Sequence, residues 1–236
     1  YHLIWACYQD FNHFTLATTL HRDLHGLKDI GLDGFNSCQV QRQFFPHGLL
    51  MDVLATTLWN RQTTLKSIVD RSFADTFGRD GAKVASFFRE MSQLHKLFFD
   101  PVFCNGPVFI PTSLRSPPVR LTKQALVNVA KMQQKAERLI PLVNHNLKRN
   151  TGAVHWSWRY LDKYMEFLKL LLPAFALYLS RSPKTQEAFD KAIVYLNRNE
   201  KTLHPVLDVR VAASVLQRRA IEIKQLHEGQ LIPSQA

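Results

Sequence analysis

The sequence predicts a mostly α chain in two parts, a short α/β segment followed by a basic helical bundle. Three observations predict it. Residues 1–60 read as strand, helix, strand, helix; five prolines crowd into 101–118; and beyond them apolar residues recur only at helical spacing.

The first strand, 2–9, is the run His2-Leu3-Ile4-Trp5-Ala6-Cys7-Tyr8, apolar enough to be covered on both faces as parallel strands are. It is under way at Tyr1, so the segment reads as the closing part of a larger α/β domain. A helix is expected over 16–30, with Gly31 as its C-terminal stop. A second strand over 32–40 carries Gly34 and Asn36 near its middle. Pro46 opens a helix over 47–59, on which Leu50, Val53, Leu54, Thr57 and Leu58 share a side. Helices over 63–77 and 80–99 follow, parted by Gly78-Arg79. Strand–helix–strand in so short a span implies a right-handed crossover and a parallel sheet.

Residues 101–121 are expected to be a Pro-rich linker, because proline lacks the N–H and biases its predecessor toward extended backbone. Helices over 122–146, 156–179, 185–196 and 209–227 come next, punctuated by Gly152 and by Ser182-Pro183, which suits an N-cap with proline at the first helical position. Short joins between them give an antiparallel bundle over 122–236. The most apolar stretch, 164–179, is interrupted by Glu166, Lys169 and Pro173. It falls short of the ~20 residues that cross a bilayer, so a buried helix kinked at Pro173 and a soluble chain are expected.

Composition agrees with a packed core: 46% of residues are hydrophobic, and 16 Phe and 4 Trp can fill it. Cys7, Cys38 and Cys104 give no paired framework and leave the compartment open. The net charge of +11 is unevenly placed. Residues 1–110 balance 10 Lys and Arg against 10 Asp and Glu, whereas residues 111–236 set 20 against 9.

Several short motifs point to a family. Asp23-Leu24 with Lys28-Asp29-Ile30-Gly31-Leu32-Asp33-Gly34-Phe35, then Phe45-Pro46-His47-Gly48-Leu49 and Leu58-Trp59-Asn60, resemble the last turns of a glycosidase-like (β/α)₈ barrel. Phe73-Ala74-Asp75-Thr76-Phe77-Gly78 stands where that family has an aromatic–glycine motif, with Thr76-Phe77 in place of paired tyrosines. The group is the bacterial family of uncharacterised barrel proteins akin to family-20 hexosaminidases and family-67 α-glucuronidases. The resemblance covers residues 1–100, and the bundle matches only by its position after the barrel.

The resemblance implies that strands 2–9 and 32–40 are the last two of a TIM barrel, whose active sites lie at the C-terminal strand ends. It puts Tyr8, Gln9, Asp10 and His13 at one strand end, and Asn36, Ser37 and Gln39 at the other, as part of a sugar-binding rim. Glycoside hydrolysis needs two carboxyl groups about 5–9.5 Å apart. Asp10 alone stands at a strand end, since Asp33 opens its strand at the opposite face. The chain is therefore expected to be a fragment of a carbohydrate-active parent, inactive alone, with no metal or cofactor. A secreted or periplasmic parent is compatible with this reading.

Other constellations fail on their chemistry. His21-Arg22-Asp23-Leu24 opens like a kinase catalytic loop, but Lys28 occupies the place of the magnesium-binding Asn. His21 and His25 have the spacing of a zinc-binding helix, yet Arg22 stands where the zinc-protease motif has Glu. His145, His155 and His204 fall on different helices.

The competing function lies in the bundle. Lys131, Lys135 and Arg138 share one helical face, as do Arg210, Arg218 and Lys224 less tightly, while Lys148-Arg149 and Arg218-Arg219 add local density. His155-Trp156-Ser157-Trp158-Arg159-Tyr160 sets stacking surfaces beside positive charge. The alternative is thus a non-catalytic helical module binding an anionic polymer, either an acidic polysaccharide or a nucleic acid. Nucleic acid is disfavoured because no nucleic-acid-binding motif accompanies the charge.

Overall fold

The computed structural model describes residues 12–34, 36, 42, 44–95 and 119–227; in the last stretch the side chains of 119–122, 218–220 and 222–227 are not among those described. Helices carry the described chain: α1 (Phe14–Gly26), α2 (Leu49–Trp59), α3 (Leu65–Phe77), α4 (Gly81–His95), α5 (Val119–Arg149), α6 (Gly152–Leu179), α7 (Thr185–Arg198), the short α8 (Glu200–Leu203) and α9 (Val209–His227). Single 3₁₀ turns at Lys28–Ile30 and Gly78–Asp80 follow α1 and α3.

Local chemistry explains the boundaries. Gly31 ends the first 3₁₀ turn at φ 75°, a left-handed conformation that glycine adopts without a Cβ penalty. The Thr64 hydroxyl accepts the Ser67 N–H at 3.2 Å and caps α3, and the Asp208 carboxylate accepts the Val211 N–H at 3.2 Å at the start of α9. The cap expected at Ser182-Pro183 sits one turn early. The Ser182 hydroxyl accepts the Lys184 N–H at 3.2 Å and its carbonyl accepts the Thr185 hydroxyl at 2.6 Å, so a turn precedes α7. Gly81 lets α4 lie against the end of α3: a Cβ there would stand 2.2 Å from the Phe73 carbonyl oxygen.

Helix α6 is central. Its buried face, from Trp158 and Leu161 through Tyr164 and Phe167 to Leu172, packs on α5, α7 and α3. Around it α1 meets α2 and α4, α4 meets α5, and α9 lies on α7. One hydrophobic cluster therefore runs from Phe14 to Leu216, with Phe77 edge-on to Trp158 at 5.2 Å and Phe88 beside Tyr164 at 5.6 Å. Among the described residues no helix is long and apolar enough to cross a membrane.

The α/β expectation is overturned. The described chain is helical and contains no strand, so it is not the remnant of a TIM barrel. Strand 2–9 lies outside the described residues, as do 35 and 37–40 of the second strand. The described part of that second strand, 32–34 and 36, is exposed coil. Leu32 is 47% exposed, and the Cβ position of Gly34 has nothing within 4 Å. A strand inside a barrel would be covered on both faces; this segment is covered on neither.

Candidate functional site

The residues expected at a sugar-binding rim are placed as follows. Tyr8, Gln9, Asp10, Ser37 and Gln39 lie outside the described residues. Asn36 is exposed. His13 is in the interior, 1% exposed, and precedes α1 at φ 67°. Its ring meets that of His47 at 5.1 Å, and His47 in turn packs against Phe88 at 4.4 Å and Phe73 at 5.0 Å. Neighbouring Asn12 is equally enclosed. Here His13 belongs to a packed polar seam between α1, α2 and α4.

The histidine pair on α1 is also tied up structurally. His21 and His25 rings stand 4.3 Å apart, and His21 Nε2 meets the Thr63 carbonyl at 3.0 Å. Burial holds the His25 ring below its ordinary pKa, with His21 and Arg61 adding repulsion. Among the described residues no three His, Cys, Asp or Glu side chains are grouped to hold a metal ion.

Charge is better organised where α5 turns into α6. The basic face of α5 splits into two sets. Lys123, Lys131, Arg138, Lys148 and Arg149 are exposed, whereas Lys135 forms an ion pair with Glu90 of α4. That pair, with the Ser86 hydroxyl, draws the Glu90 carboxyl below its usual pKa. Lys135 is thus a strut between helices. Arg210 of α9 is exposed, and the side chains of Arg218, Arg219 and Lys224 are not among those described.

The corner itself is braced from inside. Asn150 Nδ2 donates to the Asn146 carbonyl and to Asn146 Oδ1, both at 2.9 Å. Asn146 Nδ2 donates to Asp80 Oδ2 at 3.0 Å, and Asp80 also accepts Lys83 Nζ at 2.8 Å. Asn146 and Asp80 are 3% and 7% exposed, so the chain of bonds is sheltered from water. It anchors the last turn of α5, which carries Lys148 and Arg149, to the turn between α3 and α4. Gly152 at φ 60° then redirects the backbone into α6.

On the far side of the turn the two tryptophans part company. Spaced two residues apart on a helix, they point to different faces. Trp158 is fully buried, while Trp156 is 47% exposed. The Arg159 guanidinium lies over the Trp156 ring at 4.8 Å from its centroid, and Tyr160 stands at 6.2 Å. Arg149 is hydrogen-bonded to His145 at 3.1 Å. Among the described residues no salt bridge engages Lys148, Arg149 or Arg159.

The start of α6 adds to the positive field. Thr151 makes no side-chain cap bond and the first turn holds no acidic residue, so the helix's own sequence offers its first amide N–H groups neither a cap nor an anion. The arrangement offers three cations, helix-end N–H donors and an indole face around one interhelical turn. Such a set can hold an anionic group beside a flat apolar ring face.

The sequence made the charge and the aromatic run legible, but not the amide brace, because Asp80 and Asn146 are 66 residues apart. The Asn146/Asn150 spacing of four residues at a helix end was the only trace of it. Comparison of the chain with protein-family models, with curated proteins and with solved structures finds no match.

Proposed function

We propose that this chain is a non-catalytic helical module that binds an acidic polysaccharide at the α5–α6 corner. One observation carries the reading: the half-exposed Trp156, with Arg159 over its ring, sits across a tight turn from the exposed Lys148 and Arg149. Uronic-acid sugars present both a carboxylate for the cations and an apolar ring face for the indole. A nucleic acid would find the same charges, but the basic groups here form one corner with one stacking ring. A single-strand groove instead strings several aromatic platforms along its length.

Isothermal titration of the 236-residue chain against polygalacturonate, dextran and a single-stranded oligonucleotide tests this. Polygalacturonate binds, with affinity falling as salt rises, and dextran does not. Trp156→Ala weakens the uronate complex by about tenfold, the value of one lost stacking contact. Failure to bind polygalacturonate contradicts the proposal. So does tighter oligonucleotide binding that ignores the loss of Trp156.

A further inference from the structure

The α5–α6 corner holds one contact that depends on a proton. His145 is exposed one helical turn before Arg149, and its Nε2 meets the Arg149 guanidinium at 3.1 Å. A guanidinium has five N–H donors and no acceptor, so this imidazole nitrogen must present its lone pair. The contact therefore requires a neutral ring with its proton on Nδ1. A proton on Nε2 would set N–H against N–H and charge against charge, and the contact would be lost. Imidazole is the side chain that ordinarily changes charge between about pH 5 and 8.

We infer that His145 is a pH gate on this corner, an inference that rests on the proposed binding of an acidic polysaccharide there. With the ring neutral, Arg149 spends an N–H group on the preceding turn of its own helix. With the ring protonated, that group is free for a ligand carboxylate, and His145 joins Lys148, Arg149 and Arg159 as a fourth cation. Both changes act in one direction, so the corner holds an anionic sugar more tightly in mild acid. By linkage, the bound anion favours the proton. The surroundings supply no substitute for that anion. On α5 the other nearby charges are Lys148 and Arg138, and α6 carries His155 and Arg159. The end of α3 and its turn into α4 carry Asp75, Arg79, Asp80 and Lys83. Asp80 is taken up by Lys83 and Asn146. Among the described residues neither it nor the exposed Asp75 forms an ion pair with His145.

Isothermal titration of the full chain with polygalacturonate at about pH 8 and about pH 5.5 reads the gate, since carboxyl groups stay ionised across that span. Affinity rises about two- to fivefold at the lower pH, the worth of one exposed ion pair. Between the two, binding takes up protons, so the apparent enthalpy changes with the ionisation enthalpy of the buffer. His145→Gln, neutral at both pH values, loses the rise. His145→Lys, charged at both, shows the tighter affinity at both. His204→Gln, at an exposed histidine between α8 and α9, keeps the rise. Equal affinity at the two pH values overturns the gate and leaves the binding corner standing. So does a rise that survives His145→Gln, or one that His204→Gln removes. Absence of binding at both pH values contradicts the proposed function itself, and the gate falls with it.

Discussion

The Tyr164 hydroxyl donates a 2.9 Å hydrogen bond to Asn12 Oδ1 across 152 residues of sequence. Both groups are sheltered, at 0% and 2% exposure, so the bond fastens the entry to α1 onto the middle of α6. Tyr164→Phe keeps the ring contacts with Phe45 and Phe88 and removes only the donor. The expected cost is about 1–3 kcal/mol, the penalty of leaving a buried acceptor short of its partner. Urea denaturation measures it, and faster amide exchange at the start of α1 would show where the loss falls.

Two glycines separate close packing from mere flexibility. At Gly81 a Cβ would meet the Phe73 carbonyl carbon at 2.6 Å as well as its oxygen, and backbone cannot rotate away. Gly81→Ala is expected to cost at least about 1–3 kcal/mol. Gly26, at the end of α1, has nothing within 4 Å of its Cβ position. Gly26→Ala should be neutral or stabilise by up to about 1 kcal/mol. Thermal melts of the two variants should therefore move in opposite directions or differ by several degrees.

Acid sensitivity is expected to centre on the corner brace. The hydrogen bond from Lys83, then that from Asn146, holds the Asp80 carboxyl below its usual 3.8. A depressed folded-state pKa means stability that is present above about pH 4 and lost as pH falls through the folded value. Asp80→Asn should cost about 1–2 kcal/mol near neutrality and flatten the stability profile below pH 4. Melts between pH 2 and 7 check both; a parallel offset at every pH would contradict the assignment.

Asp162 behaves in the opposite sense. Burial, then the nearby Glu166 carboxylate, pushes its pKa up. Its folded form favours the proton, so the ionised group costs stability once pH rises through the folded value. Asp162→Asn should raise neutral-pH stability by less than about 1 kcal/mol, since the site is only partly shielded. The gain should vanish in acid.

Lys131 and Lys135 lie one helical turn apart yet are expected to report different things. Lys131→Ala removes an exposed charge about 25 Å along α5 from Lys148, well beyond the screening length, and should change neither polygalacturonate affinity nor the melting temperature. Lys135→Ala breaks the pair with Glu90 across α4 and α5 and should lower stability by about 0.2–1 kcal/mol. Reversal of these two effects would show that the basic face has been divided wrongly.

The helices were readable because their periodicity reflects a one-sided core. Expected spans over 63–77, 185–196 and 209–227 meet the observed Leu65–Phe77, Thr185–Arg198 and Val209–His227 within two residues at either end. The strand at 32–40 misled because a short apolar run beside glycine looks alike whether it is enclosed or merely exposed coil. Leu32 and Gly34 can be told apart from a covered strand only by what surrounds them. The tryptophan pair shows the same limit on a helix. Composition put Trp156 and Trp158 together, while a rotation of about 200° between positions two apart sends one into the core and leaves the other in solvent. His13 carried no local sign of burial, since what encloses it is His47, a full helix later.

The most direct test of the proposed binding corner is amide chemical-shift mapping of the isotope-labelled chain with a trigalacturonate titrant. The predicted result is a set of shifts confined to residues 146–160, including the Trp156 indole N–H. Shifts centred on the Trp59 neighbourhood, or a spectrum unchanged at millimolar ligand, would contradict it.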